Sequence, residues 1–291
     1  MPTLSKQSLE RYLRSRFGPE ATLLSCQAIG KASSKGEQKR YGYGRPVKLT
    51  FRLGRRLQSA VLETMQPGPF GHEHMADRAQ AMLWDYDSYG RLQRHVKALD
   101  VGAFDGKQAL FSVAAAREFF VLNEWAEGMS YHLDLERLTK GQSLRALDRA
   151  RAIALARYLA KIHATKRRDA DLYKRRLREL IGHGECIMGL TDSYPKQCSF
   201  ITEDLLHTVE AACNRWRWRL RSKAGRLSQV HGDFHPYNVL FRAGTDFSVL
   251  DRSRGEWGEP ADDVTAMTIN YLLGSLIQWG KLKGPFESMF R

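Results

Sequence analysis

The sequence predicts an α+β fold, and three observations predict it. Strand periodicity fills the first part of the chain. Val47, Leu49, Phe51 and Leu53 alternate with polar and basic residues, the period-two pattern of a half-buried strand. Helical periodicity fills the second part, where Leu144, Leu147, Leu155, Tyr158, Leu159 and Ile162 give one broad apolar face over Leu144 to His163. The third observation is a short hairpin late in the chain. Two apolar runs, Val239 to Phe241 and Phe247 to Leu250, are joined by Ala243-Gly244-Thr245-Asp246, residue types that tolerate a tight reversal.

The elements follow in order. Leu4 to Phe17 is an amphipathic helix with Leu9, Tyr12 and Leu13 on one face, stopped by Gly18-Pro19. Thr22 to Ile29 is a first strand. Gly30-Lys31-Ala32-Ser33-Ser34-Lys35-Gly36 is a basic loop of small residues, whose backbone N–H groups and lysines suit phosphate. It leads toward strands, whereas a Walker A loop runs into a helix. Gly54-Arg55-Arg56 turns the Val47 strand into Leu57 to Met65, which Pro67-Gly68-Pro69 breaks. Met75, Ala79, Met82, Leu83 and Tyr86 form a helical stripe expected to pack on the sheet. Ala98 to Phe104 and Ala109 to Val113 read as short strands, and Phe119 to Leu122 as a further apolar strand. Beyond the Leu144 helix, Lys166 to Arg178 is a charged helical stretch and Gly182 to Tyr194 a glycine-punctuated segment with no assigned element. Phe200 to Leu220 is a helix whose Trp216 and Trp218 are expected to pack. Glu259-Pro260 opens the last clear helix, with proline at an early position and acids in the first turn.

With 291 residues the chain is long enough for one two-lobed unit or two domains. Four cysteines without C-x-x-C spacing read as reduced thiols, which suits a cytoplasmic protein, and no secretory signal or membrane-length apolar run stands out. The net charge of +14 is uneven: residues 1–199 hold 34 Lys and Arg against 21 Asp and Glu, residues 200–291 hold 12 against 11. Such a balance fits nucleotide phosphates, acidic substrates or nucleic acid, and argues mildly against a polycationic substrate.

The hairpin carries the chemistry. Asp233 and Asn238 precede its first strand and Asp251 follows its second, and an antiparallel hairpin brings its outer ends together. Magnesium takes oxygen ligands, often one or two carboxylates plus substrate phosphates. A carboxylate over an acceptor hydroxyl orients it and takes its proton. The second task falls to Asp233, the first to Asn238 and Asp251. A lone H-G-D is a common tripeptide, and G-D-F-H also occurs in metallophosphoesterases, but further ligand clusters such as G-N-H-E do not occur here. His235 reads as a structural loop residue and His163 as a buried structural histidine.

H-G-D-F-H-P-Y-N (His231 to Asn238) followed by V-L-D (Val249 to Asp251) resembles the aminoglycoside phosphotransferase and choline kinase-like family, a branch of the protein-kinase-like fold. Its pattern is H-G-D-x-x-x-x-N, a hairpin, then a metal-binding Asp. The resemblance implies a bilobal protein. A small nucleotide-binding lobe, 1–125, is built on an antiparallel sheet, and a mainly helical catalytic lobe spans 126–291. It implies ATP and magnesium as cofactors, Asp233 as catalytic base, and Asn238 and Asp251 as metal ligands. His231 and Asp263 (in G-E-P-A-D-D-V) support the catalytic loop. The acceptor is a hydroxyl on a small molecule; a protein kinase is disfavoured because no A-P-E-type segment follows Asp251. Nucleotide contacts are expected from Gly30, Lys31 and Lys35, and from a hinge at Glu124, Trp125 and Ala126. Only 28 residues follow Asp263, so the lobe is expected to end early, naturally or as a fragment.

One departure stands out. Ala60-Val61-Leu62-Glu63 occupies the stretch where the family's V-A-I-K places a lysine. Either Glu63 pairs with Arg78, leaving Lys48 or Arg52 to meet the phosphates, or nucleotide binding or catalysis is lost. A basic nucleic-acid-binding protein on the same fold is the remaining alternative.

Overall fold

A computed structural model of the chain describes residues 4–29, 46–68, 71–195, 198–252 and 254–291. The chain divides into two compact units, Met1–Leu122 and Asn123–Arg291.

In the first unit, α1 (Lys6–Phe17) is capped by Ser5, whose hydroxyl accepts the Ser8 N–H at 3.1 Å. β1 (Thr22–Ala28), β2 (Val47–Leu53) and β3 (Arg56–Leu62) form an antiparallel sheet in the order β1-β2-β3. The alternation read in β2 is real, with Leu49 and Phe51 buried and Lys48 and Arg52 exposed. Leu49 and Phe51 join Leu9, Leu13, Ala21 and Leu23 in a small core. The helix over this sheet is therefore α1, whereas the sequence pointed to the Met75 stripe. That stripe forms α2 (Met75–Tyr89), but no residue of α2 is buried. Its apolar positions are interrupted by Asp77, Arg78, Gln80 and Asp85, and α1 already supplies a face that covers the sheet. β4 (Gly102–Phe104) and β5 (Leu110–Ser112) pair as a hairpin. Asp100 ties this region to α1, accepting Tyr12 Oη at 2.5 Å and pairing with Arg16 Nε at 3.1 Å.

Phe119 to Leu122 is not a strand. Among the described residues the run has no ladder partner, and Phe120 and Leu122 are 89% and 91% exposed. Apolar content alone does not make a strand when no neighbouring edge takes its hydrogen bonds. β3 also stops at Leu62, so Glu63 lies just beyond it and exposed.

The second unit begins with β6 (Met129–Ser130), α3 (His132–Thr139) and α4 (Ala146–Ala164). α5 (Ala170–Gly182), α6 (Ile187–Asp192) and α7 (Glu203–Leu220) follow, so part of the unassigned 182–194 segment is a short helix. Then come β7 (Ser228–Gln229), β8 (Val239–Phe241), β9 (Phe247–Val249), β10 (Trp257–Gly258), α8 (Pro260–Trp279) and α9 (Gly284–Phe290). β6, β8 and β9 form one antiparallel sheet, and β7 pairs with β10. The main core joins Tyr131, Leu138, Leu155, Phe234, Phe241 and Tyr271, among others, so the loop residue Phe234 is part of the core, fully buried. Gly274 on α8 faces α9 at a distance no side chain would allow: a Cβ there would meet the Phe286 ring at 2.6 Å. Trp216 and Trp218 do not pack inward; each is 57% exposed on α7. Among the described residues no helix is long and apolar enough to cross a membrane.

Candidate active site

The loop His231–Asn238 is held from below by one carboxylate. β7 and β10 pair (Trp257 with Gln229, Gly258 with Ser228), which sets the start of α8 beside the loop's entry. Asp263, in the first turns of α8, is fully buried. Its Oδ2 accepts the His231 backbone N–H at 2.9 Å and its Oδ1 the Gly232 N–H at 2.7 Å. His163 Nε2, from the end of α4, donates to Oδ2 at 2.9 Å. Three donors on one dry carboxylate satisfy most of its lone pairs, the condition for keeping such a charge buried. Gly232 takes φ +88°, and a Cβ there would stand 3.3 Å from Arg254 Cβ, so this turn asks for glycine.

The start of α8 is itself anchored. Glu259, its N-cap, accepts Arg226 through both carboxylate oxygens and Tyr173 Oη at 2.7 Å. Burial works to raise the Glu259 carboxyl, but these partners overcome it and hold the group below its ordinary range. The next acid, Asp262, has no such partners among the described residues. Burial pushes its carboxyl up to about 6, against the pull of Arg254 and with help from Asp263, Asp233 and Glu259.

Above this base sits Asp233. Its Oδ2 receives Asn238 Nδ2 at 3.2 Å and lies 3.4 Å from His235 Nε2, and its Oδ1 lies 3.3 Å from Arg254 Nη2. Asn238 is buried and also donates to the Asp233 carbonyl at 3.0 Å. Phe234, in the core between them, pins the loop. His231 Nδ1 accepts the Asp233 N–H at 3.3 Å, and its buried Nε2 has no hydrogen-bond partner among the described residues. Burial lowers the His231 pKa, so the ring is neutral near pH 7.

The hairpin forms as read: Val239 pairs with Val249 and Phe241 with Phe247, and Leu250 N–H donates to the Asn238 carbonyl at 2.9 Å. Asp251 therefore emerges one residue beyond the tie to Asn238. It is exposed and left-handed, with φ +54°, a conformation Asp tolerates better than most residues. A cavity of about 300 Å³ opens beside it, lined among others by Tyr158, Ile162, Val230, His231 and Arg252. A second, of about 380 Å³, flanks the loop at Pro236 and Tyr237, where Tyr237 stacks on His132 at 4.3 Å.

The donor set fits magnesium. Asn238 spends its amide N–H on Asp233, which leaves its carbonyl oxygen free, and Asp251 offers an exposed carboxylate. Two oxygen ligands with water and phosphate completing the shell is how this ion is commonly held. Among the described residues no cluster of three or more His, Cys, Asp or Glu stands ready as an all-protein metal cage.

Residues 85–278 match the family model of the phosphotransferase enzyme family, about two thirds of the chain and all of the loop, hairpin and Asp263. The chain belongs to that family. No curated protein matches the sequence. Among solved structures, APH(2")-IIa in its ternary complex with streptomycin and ATP is similar at 15% identity and a TM-score of 0.30, over 91% of this chain and 76% of that one. Choline kinase from Cryptosporidium parvum Iowa II is similar at 8% and 0.33, over 92% and 70%. Plasmodium vivax ethanolamine kinase is similar at 12% and 0.30, over 92% and 72%. Likeness at these scores is too loose to place residues.

For this phosphotransferase, then, the structure brings together Asp233, Asn238, His231 and Asp263, with Asp251 at the adjoining strand end. Gly30, Lys31 and Lys35 lie outside the described residues. Lys48 and Arg52 are exposed on β2. Glu124, Trp125 and Ala126 lie in irregular chain, where the Trp125 indole donates to Glu127 Oε1 at 2.8 Å. The Glu63–Arg78 pair does not form; Arg78 donates instead to the His72 and Glu73 carbonyls at 2.8 and 3.0 Å. Two residues at the site escaped sequence reading as partners of the loop. His163 was legible only as buried, and Arg254 gave no signal beyond being a cation three residues after Asp251.

Proposed function

We propose that this phosphotransferase moves the γ-phosphoryl group of ATP to a hydroxyl of a small molecule, with Asp233 as base. The observation that supports this most is the convergence at Asp233. Its carboxylate is fixed from Asn238, and Asn238 is in turn tied to the strand end that carries Asp251. The hydroxyl oxygen forms a bond to phosphorus as the bond from phosphorus to the β-phosphate oxygen breaks. Asp233 accepts the hydroxyl proton, and ADP leaves. Asn238 Oδ1 and Asp251 would hold magnesium, which supplies charge neutralisation on the phosphates when bound. Asp263 and His163 keep the loop backbone in place, so that Asp233 needs little reorganisation when substrate arrives.

Which cations meet the triphosphate is open to substitution at Lys48 and Arg52. Glu63, an exposed acid where a lysine is usual, favours one second reading, a nucleotide-binding protein without turnover. Wild type and Asp233→Asn incubated with MgATP and a panel of hydroxyl metabolites separate the two. Acceptor-dependent ATP consumption lost in Asp233→Asn supports transfer. Nucleotide binding without turnover supports the second reading.

A further inference from the structure

Asp233 has a third partner that the proposed reaction does not use. Arg254 Nη2 stands 3.3 Å from Asp233 Oδ1, and Arg254 Nε stands 3.8 Å from Glu185 Oε2 on the connection between α5 and α6. The Arg254 side chain is partly buried, 26% exposed, and its Nε is enclosed with no hydrogen-bond partner among the described residues. Its Cβ packs close to Gly232, whose missing side chain leaves room for it. The same cation is the charge that opposes ionisation penalties at Asp262 and Cys186 nearby. Arg254 is thus not a solvated surface charge; it links the α5–α6 connection to the carboxylate at the centre of the site.

We propose that Arg254 is a positioning residue for Asp233, anchored by Glu185. This rests on the reading of Asp233 as the group that receives the hydroxyl proton. A carboxylate offers about four lone-pair directions. At Asp233, Oδ2 is approached by Asn238 Nδ2 and His235 Nε2, and Oδ1 by Arg254 Nη2. One direction on Oδ1 is left, and that is where the acceptor hydroxyl goes. Arg254 decides which way it points, because it occupies the competing direction on the same oxygen. Losing the guanidinium frees the carboxylate to rotate about its Cβ–Cγ bond, so substrate binds but is misaligned. Misalignment on this scale is read in kcat rather than in KM.

The test is a double-mutant cycle on MgATP turnover, with water as acceptor so that no substrate need be known. Arg254→Gln is expected to lower kcat by roughly 10- to 100-fold while KM for MgATP moves by about 2-fold or less. In an Asp233→Asn background the same substitution is expected to cost nearly nothing, because the group it orients is gone. Glu185→Gln is expected to give a smaller loss that vanishes in an Arg254→Gln background. Added guanidinium ion is expected to restore part of the turnover of Arg254→Ala but not of Arg254→Gln, whose side chain fills the space. Multiplicative losses in the double mutant, or full kcat in Arg254→Gln while Asp233→Asn is crippled, overturn the proposal and leave the role of Asp233 standing. Full turnover in Asp233→Asn overturns both. If the wild type turns over no MgATP, the same cycle is run on thermal unfolding, where additive shifts for Arg254→Gln and Asp233→Asn overturn the contact itself.

Discussion

Replacing Asp263 by asparagine isolates what holds the loop. The side chain keeps its shape but has one acceptor oxygen in place of two. With that oxygen at the Oδ2 position it still accepts His231 N–H and His163 Nε2–H, but its NH₂ then faces the Gly232 N–H now bonded at 2.7 Å. The opposite orientation is worse, since two donors then face NH₂. A buried N–H left unsatisfied costs about 1–3 kcal/mol. The two surviving bonds fall from charge-assisted to neutral strength, about half, which adds ~1–2 kcal/mol. The expected loss is therefore about 2–5 kcal/mol, or roughly 10 °C in Tm for a domain of this size. Urea unfolding followed by tryptophan fluorescence measures the first and calorimetry the second. Turnover should fall as well, because the backbone of His231 and Gly232 leads directly into Asp233. A change below about 1 kcal/mol would show that these bonds do not carry the loop, and would refute the reasoning.

Three further outcomes are expected. Asp233→Asn should leave Tm within a few degrees of wild type and lower turnover about 100-fold or more, measured by ADP release at saturating MgATP. Asp251→Ala should abolish the magnesium dependence of nucleotide binding and Asn238→Ala should weaken it, as read by nucleotide-induced thermal shifts with and without the ion; unchanged dependence in both would remove the metal assignment. Asp262 ionises in the folded protein only at about 6, above its ordinary 3.8, so it favours the folded state while protonated and that favour is lost as pH rises from about 4 through 6. Asp262→Asn should then be the more stable protein above pH 6, by at most ~3 kcal/mol, and the difference should vanish below pH 4. His231 acts with the opposite sign. Its lowered pKa makes stability full above its ordinary value and lost as pH falls below it.

Legibility was greatest where one local rule sufficed. The alternation of β2, the hairpin at β8 and β9, and the α4 helix each rest on a period visible in the residues themselves. Helix α2 was legible as a helix, but its covering role was not, because burial depends on which face a partner already occupies, and α1 occupies it. Phe119 to Leu122 misled for a related reason: apolar residues signal a strand only if another edge pairs with them. The hairpin ends were readable because pairing brings sequence-distant residues together by geometry alone. Arg254 and Glu185 were not readable, since 69 residues separate them and no periodicity links an α5–α6 connection to the His231–Asn238 loop. Glu63 and Arg78 illustrate the converse: complementary charges at a sensible spacing did not meet, because nearer backbone carbonyls took the guanidinium.

The central claim, phosphoryl transfer from ATP with Asp233 as base, is tested most directly by following the γ-phosphate. With γ-labelled ATP, magnesium and a pool of small hydroxyl metabolites, wild type should place label on an organic product, and Asp233→Asn at the same concentration should place about 100-fold less. Equal labelling by both proteins, or nucleotide bound by wild type with no label moved to any acceptor or to water, would contradict it.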